Sequence, residues 1–175
     1  GDVARLLAHQ VDSARGGHVT MSDINPDMLA YGYDKLFDAG LADCVTAVEA
    51  NAEQLPFDDK QFDVATMVFG LRNMSDKKQA LSELQRVVKP GGSALVMEFS
   101  TPRSALVSSV YDAYSFSLIP YLGERFANDR ESYQYLVESI RNFPSQEKLA
   151  SLVSEAGFRQ VKYRNLTQGV VAMHS

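Results

Sequence analysis

The chain has 175 residues, of which 45% are hydrophobic, enough apolar material for one compact domain with a buried core. Its 17 basic and 22 acidic residues give a net charge of −5, and no run of Lys or Arg could follow a phosphate backbone, so nucleic acid is not an expected partner. A single cysteine, Cys44, excludes an internal disulfide and a cysteine-based zinc site. No stretch approaches the roughly 18 consecutive apolar residues of a membrane-spanning helix.

Helices and strands alternate over the first hundred residues. Apolar residues at helical spacing predict a first helix over 3–11, and Asn25-Pro26, a capping side chain before a proline, begins a second. A third helix is expected from a Ser75 cap to the turn at 89–92. The predicted strands between these helices are 19–23, 44–49, 62–69 and 94–99. This alternation predicts an α/β doubly wound domain with a mostly parallel sheet.

The second half of the chain departs from this rhythm. Residues 101–144 are rich in Tyr, Phe and Leu and predict an inserted helical cover within a single domain spanning 1–175. Its aromatic residues, among them Tyr111, Tyr114 and Phe116, either pack in a core or line a lid for an apolar substrate. A helix from Ser145 and strands at 158–166 and 169–174 predict a C-terminal antiparallel hairpin.

Polar residues follow the first two predicted strands, at the edge where doubly wound folds bind ligands. Asp23 could accept hydrogen bonds from ribose hydroxyls, or it could be an exposed acid or a cap. Asn51-Ala52 could reach an adenine edge, or it could form an ordinary turn. Each alternative stays open on the residues alone.

The run Phe69-Gly70-Leu71-Arg72-Asn73 places a guanidinium and an amide after the third strand. Arg72 cannot be a general base, but it could hold a phenolate oxygen or orient a water that takes a ring proton. A surface ion pair is the alternative. The histidines at positions 9, 18 and 174 form no cluster and the acidic pairs lack ligand spacing, so neither a catalytic histidine nor a metal is predicted.

Four runs between Asp23 and Gly92, and several further ones, resemble the ubiquinone/menaquinone C-methyltransferase family, class I enzymes that use S-adenosylmethionine. The runs are Asp23 to Leu29, Asn51 to Phe57, Phe69 to Asn73 and Arg86 to Gly92, and the resemblance continues through 95–100, 111–116, 132–141 and 165–172. It thus covers essentially the whole chain. The runs at 133–141 and 143–147 look more like the mitochondrial members.

The resemblance implies a Rossmann-like methyltransferase fold, S-adenosylmethionine as cofactor and a ring carbon of a polyprenylated benzoquinol as methyl acceptor. It implies catalytic roles for Arg72 and Asn73 and substrate contacts from Tyr111, Tyr114 and Phe116. The residues that would hold the cofactor are Gly1, Asp2, Asp23, Ile24, Asn25, Met28, Asn51, Ala52 and Val68.

The chain departs from the family pattern in two places. A serine expected two positions before Gly70 is Val68 here. The family's first strand and glycine-rich loop are missing, although Gly1-Asp2 looks like the end of that loop. We therefore expect an N-terminally incomplete domain, with two half-sheets and unpaired edges.

The resemblance also implies peripheral membrane contact, a homodimer and a quinone-biosynthesis complex, on the matrix side of the mitochondrial inner membrane or in the bacterial cytoplasm. Three rival functions stay open. One is methylation of demethylmenaquinol, one is a non-catalytic scaffold in a quinone-synthesis complex, and one is a nucleotide-dependent dehydrogenase, which shares the ribose-binding acid.

Overall fold

The computed structural model describes residues 1–11, 16–100 and 130–175, excluding the side chains of 130–133. The helices are α1 (Asp2–Ala8), α2 (Pro26–Asp38), α3 (Lys77–Val87), α4 (Arg130–Arg141) and α5 (Gln146–Glu155). The strands are β1 (Val19–Asp23), β2 (Val45–Glu49), β3 (Phe62–Val68), β4 (Val88–Phe99), β5 (Tyr163–Leu166) and β6 (Val171–His174). Most of the predicted cover, with Tyr111, Tyr114 and Phe116, lies outside the described residues.

The α/β class is confirmed. The described strands form a two-stranded sheet, β1-β2, and a four-stranded sheet in the order β3-β4-β6-β5. The pairs β1–β2 and β3–β4 are parallel, whereas β6 pairs antiparallel with both β4 and β5. The carboxyl ends of parallel neighbours therefore lie at one edge of each sheet, which is where the candidate residues follow the strands.

The first compact unit, Gly1–Phe57, packs α1 and α2 around the pair β1–β2. Its core residues are Ala4, Ala8, Val19, Leu36, Cys44 and Val45. The predicted start of α2 is confirmed, because the Asn25 side chain accepts hydrogen bonds from the backbone N–H groups of Asp27 and Met28, at 2.9 and 3.1 Å. This cap fixes the chain directly after Asp23.

The second unit, Asp58–Ser175, contains the four-stranded sheet with α3, α4 and α5. The inner face of α3 buries Ala80, Leu81, Leu84 and Val87, as its apolar spacing predicts. The expected Ser75 cap is wrong by one residue: Asp76 caps α3 and accepts a hydrogen bond from Gln79 N at 3.0 Å. The helix predicted from Ser145 is confirmed as α5, and the Ser145 side chain caps it.

Strand β4 begins at Val88 rather than at the predicted 94, so the residues of the expected turn, 89–92, lie within its bounds. The pairing with β3 passes from Val88 to Ser93, and Gly91 between them has a φ of 83°. The pairing with β3 shifts register between Phe62 and Val64, so the extra residues are accommodated as an irregularity in the ladder. Gly92 lies so close to the neighbouring strand that an added Cβ would stand 2.6 Å from Asp63 O. Only glycine fits there without a shift of backbone.

The C-terminal antiparallel hairpin is confirmed, but its strands are shorter than predicted. β5 begins at Tyr163 rather than at 158, and β6 begins at Val171 rather than at 169. A 3-10 turn at Thr167–Gly169 joins them, with Thr167 and Gln168 at positive φ, 48° and 59°. The expectation of a single domain over 1–175 stays a prediction. None of the described helices has the length and apolar character that crossing a membrane requires.

Candidate active site

Two polar residues meet at the carboxyl edge of the sheet in the first unit. Asp23 is the last residue of β1, and its backbone carbonyl accepts a hydrogen bond of 3.0 Å from Ala50 N, just after β2. Asn51 follows directly, so the sequence-predicted pair Asp23 and Asn51 lies on neighbouring strand ends. Both side chains are exposed. A carboxylate and an amide therefore lie at the same edge of this sheet.

Local hydrogen bonds orient these two side chains. Asp23 Oδ1 accepts from Asn25 N at 2.9 Å, and Asn51 Oδ1 accepts from Glu53 N at 2.9 Å. Each bond uses one oxygen of its side chain, so Asp23 keeps its second carboxylate oxygen and Asn51 its amide N–H groups for a ligand. The carboxylate suits hydroxyl donors, and the amide suits a base edge with ring acceptors.

Apolar side chains stand exposed beside Asp23. Ile24 is 62% exposed and Met28, in the first turn of α2, is 58% exposed. Ala52 is partly buried after Asn51. Gly1 and Asp2 begin α1, where Gly1 lies against the backbone of Gly32 in α2. The assignment of these residues to cofactor binding stays a prediction.

In the second unit, β3 ends in a tight turn that carries Arg72 and Asn73. Val68 closes the strand, Phe69 takes a left-handed conformation with φ of 55°, and Leu71–Asn73 form a 3-10 turn. A non-glycine residue is seldom found in that region unless its surroundings hold it there. The Phe69 ring packs on Phe99 with the ring centroids 4.7 Å apart.

Glu98, near the end of β4, is the residue to which this turn is attached. Its carboxylate is 1% exposed and accepts from Arg72 Nη1 at 3.1 Å, from Arg72 N at 3.2 Å and from Phe99 N at 2.9 Å. The Arg72 side chain is 13% exposed, and its Nη1 also donates to the Phe69 carbonyl. The guanidinium carbon lies 5.5 Å from the centre of the Phe99 ring. Arg72 is thus held on Glu98 rather than on a surface acid.

Asn73 points outward at the end of the same turn. Its side chain is exposed, and its Oδ1 accepts from the hydroxyl of Tyr135 in α4 at 3.3 Å. Tyr135 is itself 55% exposed. Because the amide oxygen accepts this bond, the amide N–H groups of Asn73 are not used by Tyr135.

His174, for which no catalytic role is expected, is a buried member of the sheet. Its Nε2 pairs with the Gln146 carbonyl at 3.0 Å and its ring lies 5.5 Å from that of Tyr163. Burial lowers the pKa of His174 below its usual value, against smaller opposing contributions from the Gln146 carbonyl and Glu147. The neutral imidazole therefore belongs to the packing of the hairpin.

Sequence reasoning missed two residues of the second unit, Glu98 and Tyr135. A single acid in the otherwise apolar end of β4 is the signal that could have revealed Glu98, because a buried carboxylate needs a partner. No local pattern indicates Tyr135, which is 62 residues from Asn73. The structure thus brings together Asp23 with Asn51 in one unit, and Arg72 and Asn73 with Glu98 and Tyr135 in the other.

Methyltransferases are among the solved structures that resemble this fold. One is a SAM-dependent methyltransferase from Aquifex aeolicus, with a TM-score of 0.63 and 17% identity over 90% of this chain and 67% of that one. Another is phosphoethanolamine N-methyltransferase 2 of Haemonchus contortus in complex with S-adenosyl-L-methionine, with a TM-score of 0.61 and 19% identity over 86% of this chain and 30% of that one. The chain has the Rossmann-like fold of S-adenosylmethionine-dependent methyltransferases.

The sequence profile of the ubiE/COQ5 methyltransferase family matches residues 1–175. The ubiquinone/menaquinone biosynthesis C-methyltransferase UbiE of Pseudomonas paraeruginosa is 51% identical over 174 residues, 99% of this chain and 67% of that relative. The chain belongs to the ubiE/COQ5 methyltransferase family. Its methyltransferase class and its cofactor, S-adenosylmethionine, are thereby confirmed, as is the quinone-biosynthesis setting.

Proposed function

We propose that the protein transfers a methyl group from S-adenosylmethionine to a ring carbon of a polyprenylated benzoquinol in ubiquinone biosynthesis. The observation that carries this proposal is the turn at 69–73, where a cation and an amide stand together at the carboxyl end of β3. Negative charge on a quinol oxygen makes the ring carbon nucleophilic. A cation beside that oxygen stabilises this phenolate character, which is why the reaction needs one. The family match over the whole chain supports the same reaction.

The residues of the first unit suit the cofactor. The unoccupied oxygen of Asp23 would accept from the ribose hydroxyls, and Asn51 with Ala52 would contact the adenine. Exposed apolar side chains at Ile24 and Met28 would cover the base. Gly1, Asp2 and Asn25 complete the proposed set in this unit. The resemblance also implies a cofactor contact from Val68, which belongs to the second unit. The cofactor supplies a methyl group bonded to a sulfonium sulfur.

Methyl transfer forms a bond between the ring carbon and the methyl carbon and breaks the bond from methyl to sulfur, whose electron pair stays on sulfur. The ring proton then leaves to a water molecule. The chain contributes alignment of carbon, methyl and sulfur, and stabilisation of negative charge on the quinol oxygen. It has no need of a covalent intermediate.

Arg72 would stabilise the phenolate oxygen, and Asn73 would donate its amide N–H to the quinol or to the proton-accepting water. Arg72 keeps its charge throughout, so it acts by charge and not as a base. Tyr111, Tyr114 and Phe116 are proposed to contact the substrate, and they lie outside the described residues.

Membership of the family is compatible with two substrates, a benzoquinol or a demethylmenaquinol, and with two compartments, the bacterial cytoplasm or the mitochondrial matrix. The resemblance of 133–141 to mitochondrial members supports a benzoquinol, whereas bacterial relatives carry both ubiquinone and menaquinone in their name. The bacterial relatives support the bacterial cytoplasm over the mitochondrial matrix as the setting. An apolar polyprenyl tail requires peripheral contact with a membrane, and a homodimer and a quinone-biosynthesis complex belong to the proposal as partners.

Parallel assays with two acceptors test this proposal. The complete natural protein is incubated with methyl-labelled S-adenosylmethionine and either a short-chain 2-methoxy-6-prenyl benzoquinol or a demethylmenaquinol. We expect higher kcat/KM for the benzoquinol. A preference for the demethylmenaquinol would replace the proposed substrate, and no transfer to either would favour a scaffold.

A further inference from the structure

We propose that Glu98 is a positioning residue for methyl transfer: it holds one side of the Arg72 guanidinium so that the opposite edge stays available for an oxygen of the quinol. This inference rests on the proposed function, and it adds a residue that touches neither substrate nor cofactor. It is carried by the geometry of the buried pair and by the N–H groups that the pair leaves unused.

Glu98 holds the turn at several points. Its two carboxylate oxygens accept from Arg72 Nη1, from the Arg72 backbone and from the Phe99 backbone, all within 3.2 Å. These donors belong to the turn after β3 and to the end of β4, so one side chain ties both strand ends together. Because the carboxylate is 1% exposed, water competes little for these bonds.

The hydrogen bonds that hold the Arg72 guanidinium involve only one of its sides. Nη1 is bonded to Glu98 and to the Phe69 carbonyl, whereas Nε is buried and has no hydrogen-bond partner in the described part of the chain. Nη2 likewise has no partner among the described residues. In a guanidinium the N–H bonds of Nε and Nη2 point the same way and form the fork that binds an oxyanion.

A buried unpaired donor is uncommon in folded proteins and calls for a partner. An oxygen of the substrate, carrying negative charge as the ring becomes nucleophilic, would complete the fork at Nε and Nη2. Glu98, bonded to Nη1 on the other side of the guanidinium, then fixes the direction in which Nε and Nη2 donate. The strained conformation of Phe69 fits this role, because the network around Glu98 holds the turn in a geometry that the backbone alone disfavours.

Kinetics of Glu98→Gln in the complete natural protein test the proposal, with labelled S-adenosylmethionine and a short-chain prenyl benzoquinol as probes. The substitution keeps the shape and removes the charge. Since displacement of a catalytic group by about 1 Å can cost about a hundredfold, we expect kcat to fall about tenfold to a hundredfold. Cofactor affinity by calorimetry should change less than about twofold, because Asp23 and Asn51 are untouched.

Glu83→Gln is the matched control. The Glu83 side chain is 13% exposed and pairs with Arg86 at 2.7 Å, both within α3. This variant weakens an Arg–Glu ion pair that does not include the residues of the turn at 69–73, and it should keep kcat even where its melting temperature falls. A loss of kcat in Glu83→Gln equal to that in Glu98→Gln would show a general effect of stability and would overturn the proposal.

An Arg72→Gln background separates positioning from structural support. If Glu98 acts through Arg72, then adding Glu98→Gln to Arg72→Gln should lower kcat no further, although removing both charges restores part of the stability. If Glu98→Gln lowered kcat in the Arg72→Gln background as much as it does in wild type, the proposal would be overturned. So would a folded Glu98→Gln variant with wild-type kcat.

If Glu98→Gln does not fold, Glu98→Asp tests the proposal instead. This substitution keeps the negative charge but shortens the side chain by one methylene, which moves the carboxylate away from Arg72. We expect a folded protein with lowered kcat and normal cofactor affinity, and wild-type kcat would overturn the inference. Absence of methyl transfer by the wild-type protein would refute the proposed function and this inference with it. An active wild type with an unaffected Glu98 variant refutes the inference alone.

Discussion

Substitution of Asp23 probes the proposed cofactor site in two graded steps. Asp23→Ala removes the whole side chain at the end of β1, including the oxygen that accepts from Asn25 N at 2.9 Å. Asp23→Asn keeps that acceptor and removes the charge. Comparing the two separates the contact with the cofactor from the local turn that leads into α2.

The expected magnitudes follow from the hydrogen bonds. A bond to a charged group contributes about 1.5–3 kcal/mol, so Asp23→Ala should weaken S-adenosylmethionine binding roughly tenfold to a hundredfold. An amide oxygen still accepts a neutral hydrogen bond, worth about 0.5–1.5 kcal/mol. Asp23→Asn should therefore lose only about 1–1.5 kcal/mol, or roughly fivefold to tenfold.

Titration calorimetry with S-adenosylmethionine on the complete natural protein measures both variants. Asp34→Asn makes the same charge change on an exposed position of α2 and should bind the cofactor normally. Thermal melting confirms that each variant is folded at the titration temperature. Unchanged affinity in a folded Asp23→Ala would refute the assignment of the ribose to this carboxylate.

Three further predictions concern the second unit. Arg72→Lys keeps the charge but loses the planar fork, so kcat should fall with cofactor affinity unchanged, and equal turnover in a quinol assay would rule out the role of Arg72. Gly92→Ala brings a Cβ to 2.6 Å from Asp63 O, so denaturant titration should show a loss of about 1–3 kcal/mol of unfolding free energy, and wild-type stability would contradict the close approach. Because the pKa of His174 is lowered in the folded state, the unfolded chain binds this proton more readily, and the stability present above pH about 6.5 should be lost as pH falls toward the folded pKa. Urea midpoints between pH 7.5 and 5.5 should therefore fall more for wild type than for His174→Leu, and parallel curves would argue against the buried neutral imidazole.

Local signals predicted much of the fold because the interactions behind them are local. Asn25 caps the helix that begins at Pro26, within three residues of its hydrogen-bond donors. The cap of α3 fell on Asp76 rather than Ser75, since both are capping residues and only the backbone decides between neighbours. Unbroken apolar strands likewise gave the parallel pairs.

Long-range contacts account for most of what the sequence did not predict. The bond between Arg72 and Glu98 joins residues 26 apart, and each residue separately fits an exposed ion pair. The extension of β4 back to Val88 depends on the pairing of Val88 with Phe62 in β3, and the Pro-Gly-Gly run lies between that pair and the next one, Val64 with Ser93. Such pairings depend on the whole sheet, so no local spacing encodes them.

Carbon-13 NMR of the product tests the central claim most directly. The complete natural protein is incubated with S-adenosylmethionine labelled at the methyl carbon and with a prenyl benzoquinol that lacks one ring methyl. We expect a single new signal of a methyl group on an aromatic ring carbon, formed by wild type and much reduced in Arg72→Lys. A signal of an oxygen-bound methyl group, or no labelled quinol at all, would contradict it.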